Sequence, residues 1–398
     1  MGGHLLRRAD PVFAGVQDRA RGRVTEAARP ATSSSRPASP EIDAWTNALG
    51  GLVERFPDLW VRLGNWETRL LDDRIAGAAV DRPIYVAGLA RSGSTILLEL
   101  LARHPDTASH RYRDFPMVPT PWTWSWFVDR AGRGDPVARE RAHRDRIKVT
   151  PESPEAFEEV LWKIFFPKLH EPSESAVLDQ RTEHPAFEAF YRDHIRKLLV
   201  LRGAPRYLAK GNYNVTRLRY LKKLFPDARF VVPIREPAGH IASLMNQHRL
   251  FSAAGAEDGR VVDHLRRSGH YEFGPDRRPI NVGDARTTHE ILALWQAGEE
   301  AAGWAAYWAS VYEHLAEATA EPGLAPAIHV VRYEDLCSDP GGAISAVLEH
   351  CALEDNGLTE TARAVISPPT YYEPSFTAAE SAAIRDRTAA VAARFSYG

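Results

Sequence analysis

Short unbroken apolar runs and apolar positions spaced by three or four divide this chain into predicted elements. Residues 83–88 (PIYVAG) are a run of the kind buried on both faces of a parallel sheet, and a Gly/Ser loop and an apolar helical stretch, 96–102, follow it. Comparable runs lie at 207–209, 230–234 and 327–331, each leading into polar residues and then helical periodicity. Helical spacing also predicts helices over 157–166 and 187–201 and one long helix from 288 to about 318. In that last segment Trp304, Trp308, Val311, Tyr312 and Leu315 share a face and read as core. Ahead of the first strand, Leu52, Phe56, Leu59, Trp60, Leu63 and Trp66 repeat every three or four positions, which predicts a helical region over 42–71. Strands alternating with helices imply an α/β fold, a single domain over 42–398 with a mostly parallel central sheet flanked by helices.

Two segments carry no such pattern. Residues 1–41 include the Arg, Ala, Ser and Pro tract ARPATSSSRPASPE and read as a disordered leader. Residues 255–285 are polar and rich in Gly, Arg and His, too long for an ordinary connection, and are expected to form a lid or substrate loop.

Composition narrows the function classes. Fifty Lys+Arg against 52 Asp+Glu leave a formal charge of −2, which excludes a polybasic nucleic-acid coat. With Cys337 and Cys351 as the two cysteines, neither a disulfide framework nor a Cys-rich zinc site can be built, and a reducing cytoplasm is the expected compartment. The start lacks the apolar core of a secretory signal, and no run approaches the roughly 18 apolar residues of a membrane span.

The chemistry begins in the loop after the first strand. Residues 88–95 read GLARSGST, a Gly-bearing turn between a strand and a helix N-terminus, where backbone N–H groups and the helix dipole attract an anion. Ser94 stands where a nucleotidase carries its phosphate-binding lysine, so the missing cation must come from elsewhere, and Arg91 at the loop apex can supply it. Further on, FVVPIREPAGHIAS (230–243) ends a strand at Arg235 and carries Ser243 into the next helix in an R-x7-S spacing. An Arg fork and a Ser hydroxyl so placed can converge on one phosphate.

Together these blocks resemble the nucleotide-binding signature of sulfotransferases that use 3′-phosphoadenylyl sulfate. RSGST is similar to that family's 5′-phosphosulfate loop and R-x7-S to its 3′-phosphate element; LAKGN (208–212) and VRYEDL (331–336) add two further matches in order. HRYRDFP (110–116), SPEAFEEV (153–160) and GHYEFG (269–274) resemble a bacterial small-molecule branch related to the tyrosylprotein enzymes. The resemblance implies a P-loop-like fold and transfer of a sulfuryl group from 3′-phosphoadenylyl sulfate to a hydroxyl or amine of a small molecule, releasing 3′,5′-bisphosphoadenosine. No metal clamp is implied, because a sulfonate carries less charge than a terminal phosphate. It further implies that Arg91, Ser92, Gly93, Ser94 and Thr95 hold the 5′-phosphate, Arg235 and Ser243 the 3′-phosphate, and Tyr333 the adenosine, with Lys210 and Arg91 stabilising the bridging oxygen.

Two departures stand out. The late Arg-Lys-Gly run of the cytosolic enzymes is absent, and Arg111–Tyr112 replace the Glu pair of the protein-tyrosine enzymes. The acceptor's base is therefore sought among Asp114, the first choice, and His110, His143, Glu155, Glu158 and Glu159. Trp122, Trp124 and Trp126 read as core packing, with an acceptor pocket as the alternative. Two rival functions stay in view: a P-loop kinase with a relocated cation, which would need a metal-binding Asp at a strand end, and a binding module whose nucleotide site is idle.

Overall fold

The computed structural model describes residues 44–131, 139–140, 148–367 and 375–397; the expected leader and His143 lie outside them. Five strands, β1 (Ile84–Val86), β2 (Thr107–Ala108), β3 (Arg206–Lys210), β4 (Arg229–Ile234) and β5 (Ile328–Arg332), form one sheet in the order β2-β3-β1-β4-β5. Every neighbouring pair is parallel. Four of these strands are the four apolar runs of the sequence; β2 is a two-residue edge strand, too short to show a period.

Alternation along the strands gives the sheet two apolar faces. Ile84, Val86, Leu208, Val231 and Val331 turn toward a layer containing the Ser94–Leu101 and Pro340–Cys351 helices. Tyr85, Ala87, Tyr207, Ala209, Phe230 and Val232 turn the other way, onto the Pro185–Arg202, Pro237–Glu257 and Glu300–Ala320 helices. Trp304, Trp308, Val311, Tyr312 and Leu315 are fully buried there, as their shared face implied.

Two expectations change. The single helix over 288–318 is two helices, Ala285–Gln296 and Glu300–Ala320, separated at Gly298 in the left-handed region at φ +81°, a conformation that glycine takes without steric cost where a helix stops. The stretch 255–285 is not one long loop. The Pro237–Glu257 helix runs into it, and a second helix, Gly259–Ser268, starts where the Asp258 carboxylate accepts the Arg260 N–H at 2.9 Å. Residues 269–284 remain without regular structure. Among the described residues no helix is long and apolar enough to cross a membrane.

Candidate active site

Because all five strands are parallel, their carboxyl ends meet at one edge, the place where open α/β sheets bind ligands. β1 sits at the centre and delivers the 88–95 loop there. Lys210, the last residue of β3, is in register with Val86, and the next N–H, of Gly211, donates to Val86 O at 3.1 Å. Arg235 follows the last residue of β4 on the other side of β1, and Tyr333 follows Arg332 at the end of β5.

Glycine is needed twice in the loop. A Cβ on Gly88 would lie 2.8 Å from Pro233, so the backbone could not press against β4; Gly93, at φ +100°, would put one 2.9 Å from the Tyr333 ring. Arg91 is also left-handed, at φ +70°, which sets it at the apex of the turn.

The segments that the resemblance assigns to phosphate come together around that turn. Arg91 Nε donates to Ser243 Oγ at 3.2 Å, and Arg235 Nη1 approaches Arg91 O at 3.4 Å. The Arg235 guanidinium stands 4.5 Å from the centre of the Tyr333 ring. Loop, arginine fork, hydroxyl and ring thus form one cationic corner at the start of the Ser94–Leu101 helix. Arg91, Gly93, Thr95, Arg235, Ser243 and Tyr333 keep part of their surface exposed, whereas Ser92 and Ser94 are buried.

Residues that the sequence reading did not single out hold this corner in shape. The Trp308 indole N–H donates to His240 Nδ1 at 3.2 Å, so Nε2 carries the imidazole proton and donates to Ala90 O at 2.8 Å. Burial, with the Arg235 and Arg91 charges, pushes the His240 pKa down to about 3 despite the Ala90 bond, and the ring is neutral. Glu236 caps the Pro237–Glu257 helix through the N–H groups of Ala238 and Gly239, and Glu334 accepts the Glu236 N–H at 3.1 Å. Tyr397, near the chain end, donates to Glu334 and packs under the Arg332 guanidinium. The two carboxylates beside the strand ends are thereby engaged in scaffolding.

The expected base is placed differently from its sequence reading. Asp114 is 1% exposed, and Arg202 Nη2 reaches both of its oxygens at 2.7 Å. It also accepts the Arg111 N–H at 2.8 Å, closing a 3-10 turn, with His110 Nδ1 3.7 Å away. Burial alone would raise its pKa; the His110 imidazole and the Arg202 guanidinium overcome this and hold it at about 2. Asp114, the first-choice base, is therefore held in a closed ion pair, made with a residue distant in sequence. The adjacent Arg111 and Arg113 pair with Glu152 instead.

The other described candidates fare similarly. His110 is buried and stacked on His194, ring centres 5.1 Å apart. Glu158 accepts bonds from Trp162, Tyr191 and Tyr207, and burial pushes its pKa up. Glu159 is forked by Arg217 at 2.7 Å and meets His170 at 2.8 Å, and despite burial these hold it at about 2. The expected helix starts at Glu159, so Glu155 precedes it; Glu155 is half-buried, and its Oε1 accepts the Ala156 N–H.

Three segments singled out in the sequence do meet one another. The Glu155 N–H donates to His110 O, Phe115 stacks on Phe157 with centres 5.2 Å apart, and Phe115 meets the edge of His264 at 5.1 Å. A Cβ on Gly269 would lie 2.4 Å from Glu159 Cγ. Trp122 and Trp124 are half-buried, whereas Trp126 is 52% exposed and does not belong to the core.

Residues 83–273 match the profile of the Sulfotransferase family. Among solved structures, sulfotransferase STF1 of Mycobacterium tuberculosis H37Rv is similar at 16% identity and a TM-score of 0.47, covering 86% of each chain. Sulfotransferase STF9 of Mycobacterium avium is similar at 16% identity and 0.47, over 83% of this chain and 82% of its own. A sulfotransferase of Alicyclobacillus acidocaldarius follows at 14% and 0.40, over 79% and 94%. No curated protein matches the chain.

Proposed function

Residues 83–273 belong to the sulfotransferase family, and from that premise we propose that this protein is an enzyme that moves a sulfuryl group from 3′-phosphoadenylyl sulfate to a hydroxyl or amine of a small molecule. The observation that carries the reading is the single corner formed by the 88–95 loop, Arg235, Ser243 and Tyr333. Its chemistry fits a nucleotide with two separate phosphates. The loop N–H groups and the helix N-terminus suit the 5′ end, while an arginine fork with a hydroxyl suits a second, dianionic group. The Tyr333 ring offers a face for the adenine or ribose.

In the reaction the acceptor oxygen or nitrogen attacks sulfur. A bond from it to sulfur forms, and the bond from sulfur to the bridging oxygen breaks, its electron pair leaving on the 5′-phosphate. Such transfers pass through a loose transition state, so positioning and charge stabilisation supply most of the rate. Lys210 and Arg91, flanking the end of β1, meet the charge that grows on the bridging oxygen. The acceptor proton goes to a base other than Asp114, whose lone pairs are committed to Arg202 and Arg111.

Arg235→Ala tests the assignment. It removes the fork and should weaken 3′,5′-bisphosphoadenosine by about 2–4 kcal/mol in calorimetry, while leaving 5′-AMP almost unaffected. Equal losses for the two nucleotides refute a 3′-phosphate site at Arg235.

A further inference from the structure

We propose that His270, oriented by Glu272, is the base that accepts the acceptor's proton, an inference that rests on the sulfotransferase reading above and completes it. The 269–274 segment lies across the turn that follows Lys210: Asn212 Nδ2 donates to Glu272 Oε1 at 2.6 Å, and the Tyr271 N–H donates to the Tyr213 hydroxyl at 2.9 Å. The segment is also pinned at its start. Gly269 sits at φ +83° against Glu159, and the His270 N–H donates to Leu265 O at 2.8 Å.

Glu272 is 3% exposed and, although burial raises its pKa, His270 and Asn212 overcome this and hold the carboxyl below its ordinary value. Its second oxygen, Oε2, is buried without a hydrogen-bond partner, and His270 Nδ1 stands 3.5 Å from it. A carboxylate so placed favours the proton on Nδ1 and leaves the Nε2 lone pair turned away, the arrangement by which a buried acid prepares an imidazole to take a proton. The His270 side chain keeps 20% of its surface, unlike the buried His110. The titratable groups that face the dyad are His264 of the Gly259–Ser268 helix, beside His270, and the buried Tyr213 and Tyr307, beside Glu272; Arg267 and Glu155 lie next to His264. Burial, with the neighbouring His270 and Arg267, pushes His264 down to about 4 despite Glu155. In the transfer the proton leaves the acceptor O–H for His270 Nε2 as the new O–S bond forms, while the leaving electron pair stays on the 5′-phosphate.

The test uses the full chain, 3′-phosphoadenylyl sulfate, and two acceptors: phenol, which must lose a proton, and 4-nitrophenol, largely an anion at slightly alkaline pH. His270→Gln should lower kcat/KM about a hundredfold for phenol and less than about fivefold for 4-nitrophenol, abolish the acidic limb of the phenol pH profile, and leave bisphosphoadenosine affinity unchanged. Glu272→Gln should move that limb to lower pH, an effect that a merely structural role would not produce. Equal losses on both acceptors, or an unaltered limb, overturn the proposal. Histidine nitrogen resonances give a readout independent of any acceptor: Nδ1–H is expected for neutral His270, and an Nε2–H tautomer overturns the assignment. Failure of the wild type to bind bisphosphoadenosine would instead refute the sulfotransferase reading itself.

Discussion

Asp114→Asn should destabilise the protein and leave its chemistry nearly intact. The substitution keeps the shape and the cap on Arg111 but removes the charge facing Arg202, whose side chain is 5% exposed. Losing one partner of a buried pair costs about 3–5 kcal/mol, because the remaining charge is buried uncompensated. An independent measure comes from the carboxyl itself, held at about 2 against an ordinary 3.8, a difference of about 2 kcal/mol by linkage. The two figures bracket a cost of about 2–5 kcal/mol, a large share of a typical domain's stability. Its pH dependence has a definite sign. A folded pKa below the unfolded one means that the stabilisation is complete above pH 3.8 and fades as pH falls through about 2, so the variant should lose that part of the acid slope. Denaturant unfolding at pH 7, at pH 3 and across the acid range measures both effects, and Arg202→Met in the Asp114→Asn background should recover about half of the loss. Turnover measured well below the melting temperature should stay within a few-fold of wild type. A hundredfold loss of turnover with unchanged stability would refute this reasoning and restore Asp114 as the base.

Other outcomes follow from the same geometry. If Lys210 meets the bond that breaks, as proposed, Lys210→Ala should lower turnover about a hundredfold with little change in bisphosphoadenosine affinity; steady-state rates and calorimetry together check this. His240→Ala leaves Ala90 O and the Trp308 N–H without their partner, so it should cost about 2 kcal/mol of stability and weaken nucleotide binding through a looser loop, read by thermal unfolding with and without nucleotide. Because His240 is held near 3, below its unfolded value, its contribution is complete above about pH 6.5 and fades as pH falls. His240→Ala should therefore flatten the stability profile between pH 6.5 and 4.

Much of the cationic corner could be read from the sequence as candidate segments because each part is contiguous. GLARSGST sets its own turn, and R-x7-S reaches from a strand end into the following helix, so both read without knowledge of the fold. The parallel sheet was legible for the same reason, since a buried strand announces itself as an apolar run. What escaped depends on residues far apart in the chain. Asp114 looked like a carboxylate among Arg111 and Arg113, yet its partner, Arg202, comes from the end of a helix some ninety positions on. His240 and Trp308 read as ordinary core positions; their common task under Ala90 exists once two helices have packed. Gly298 was the exception, a local stop signal within AGEE that the strong tryptophan stripe beyond it outweighed.

A crystal structure of the protein with 3′,5′-bisphosphoadenosine tests the central claim most directly. The 5′-phosphate is expected on the backbone N–H groups of residues 92–95, the 3′-phosphate within hydrogen-bond reach of Arg235 and Ser243, and the nucleoside against Tyr333. A nucleotide seated elsewhere, or one whose 3′-phosphate makes no contact with Arg235, would contradict it.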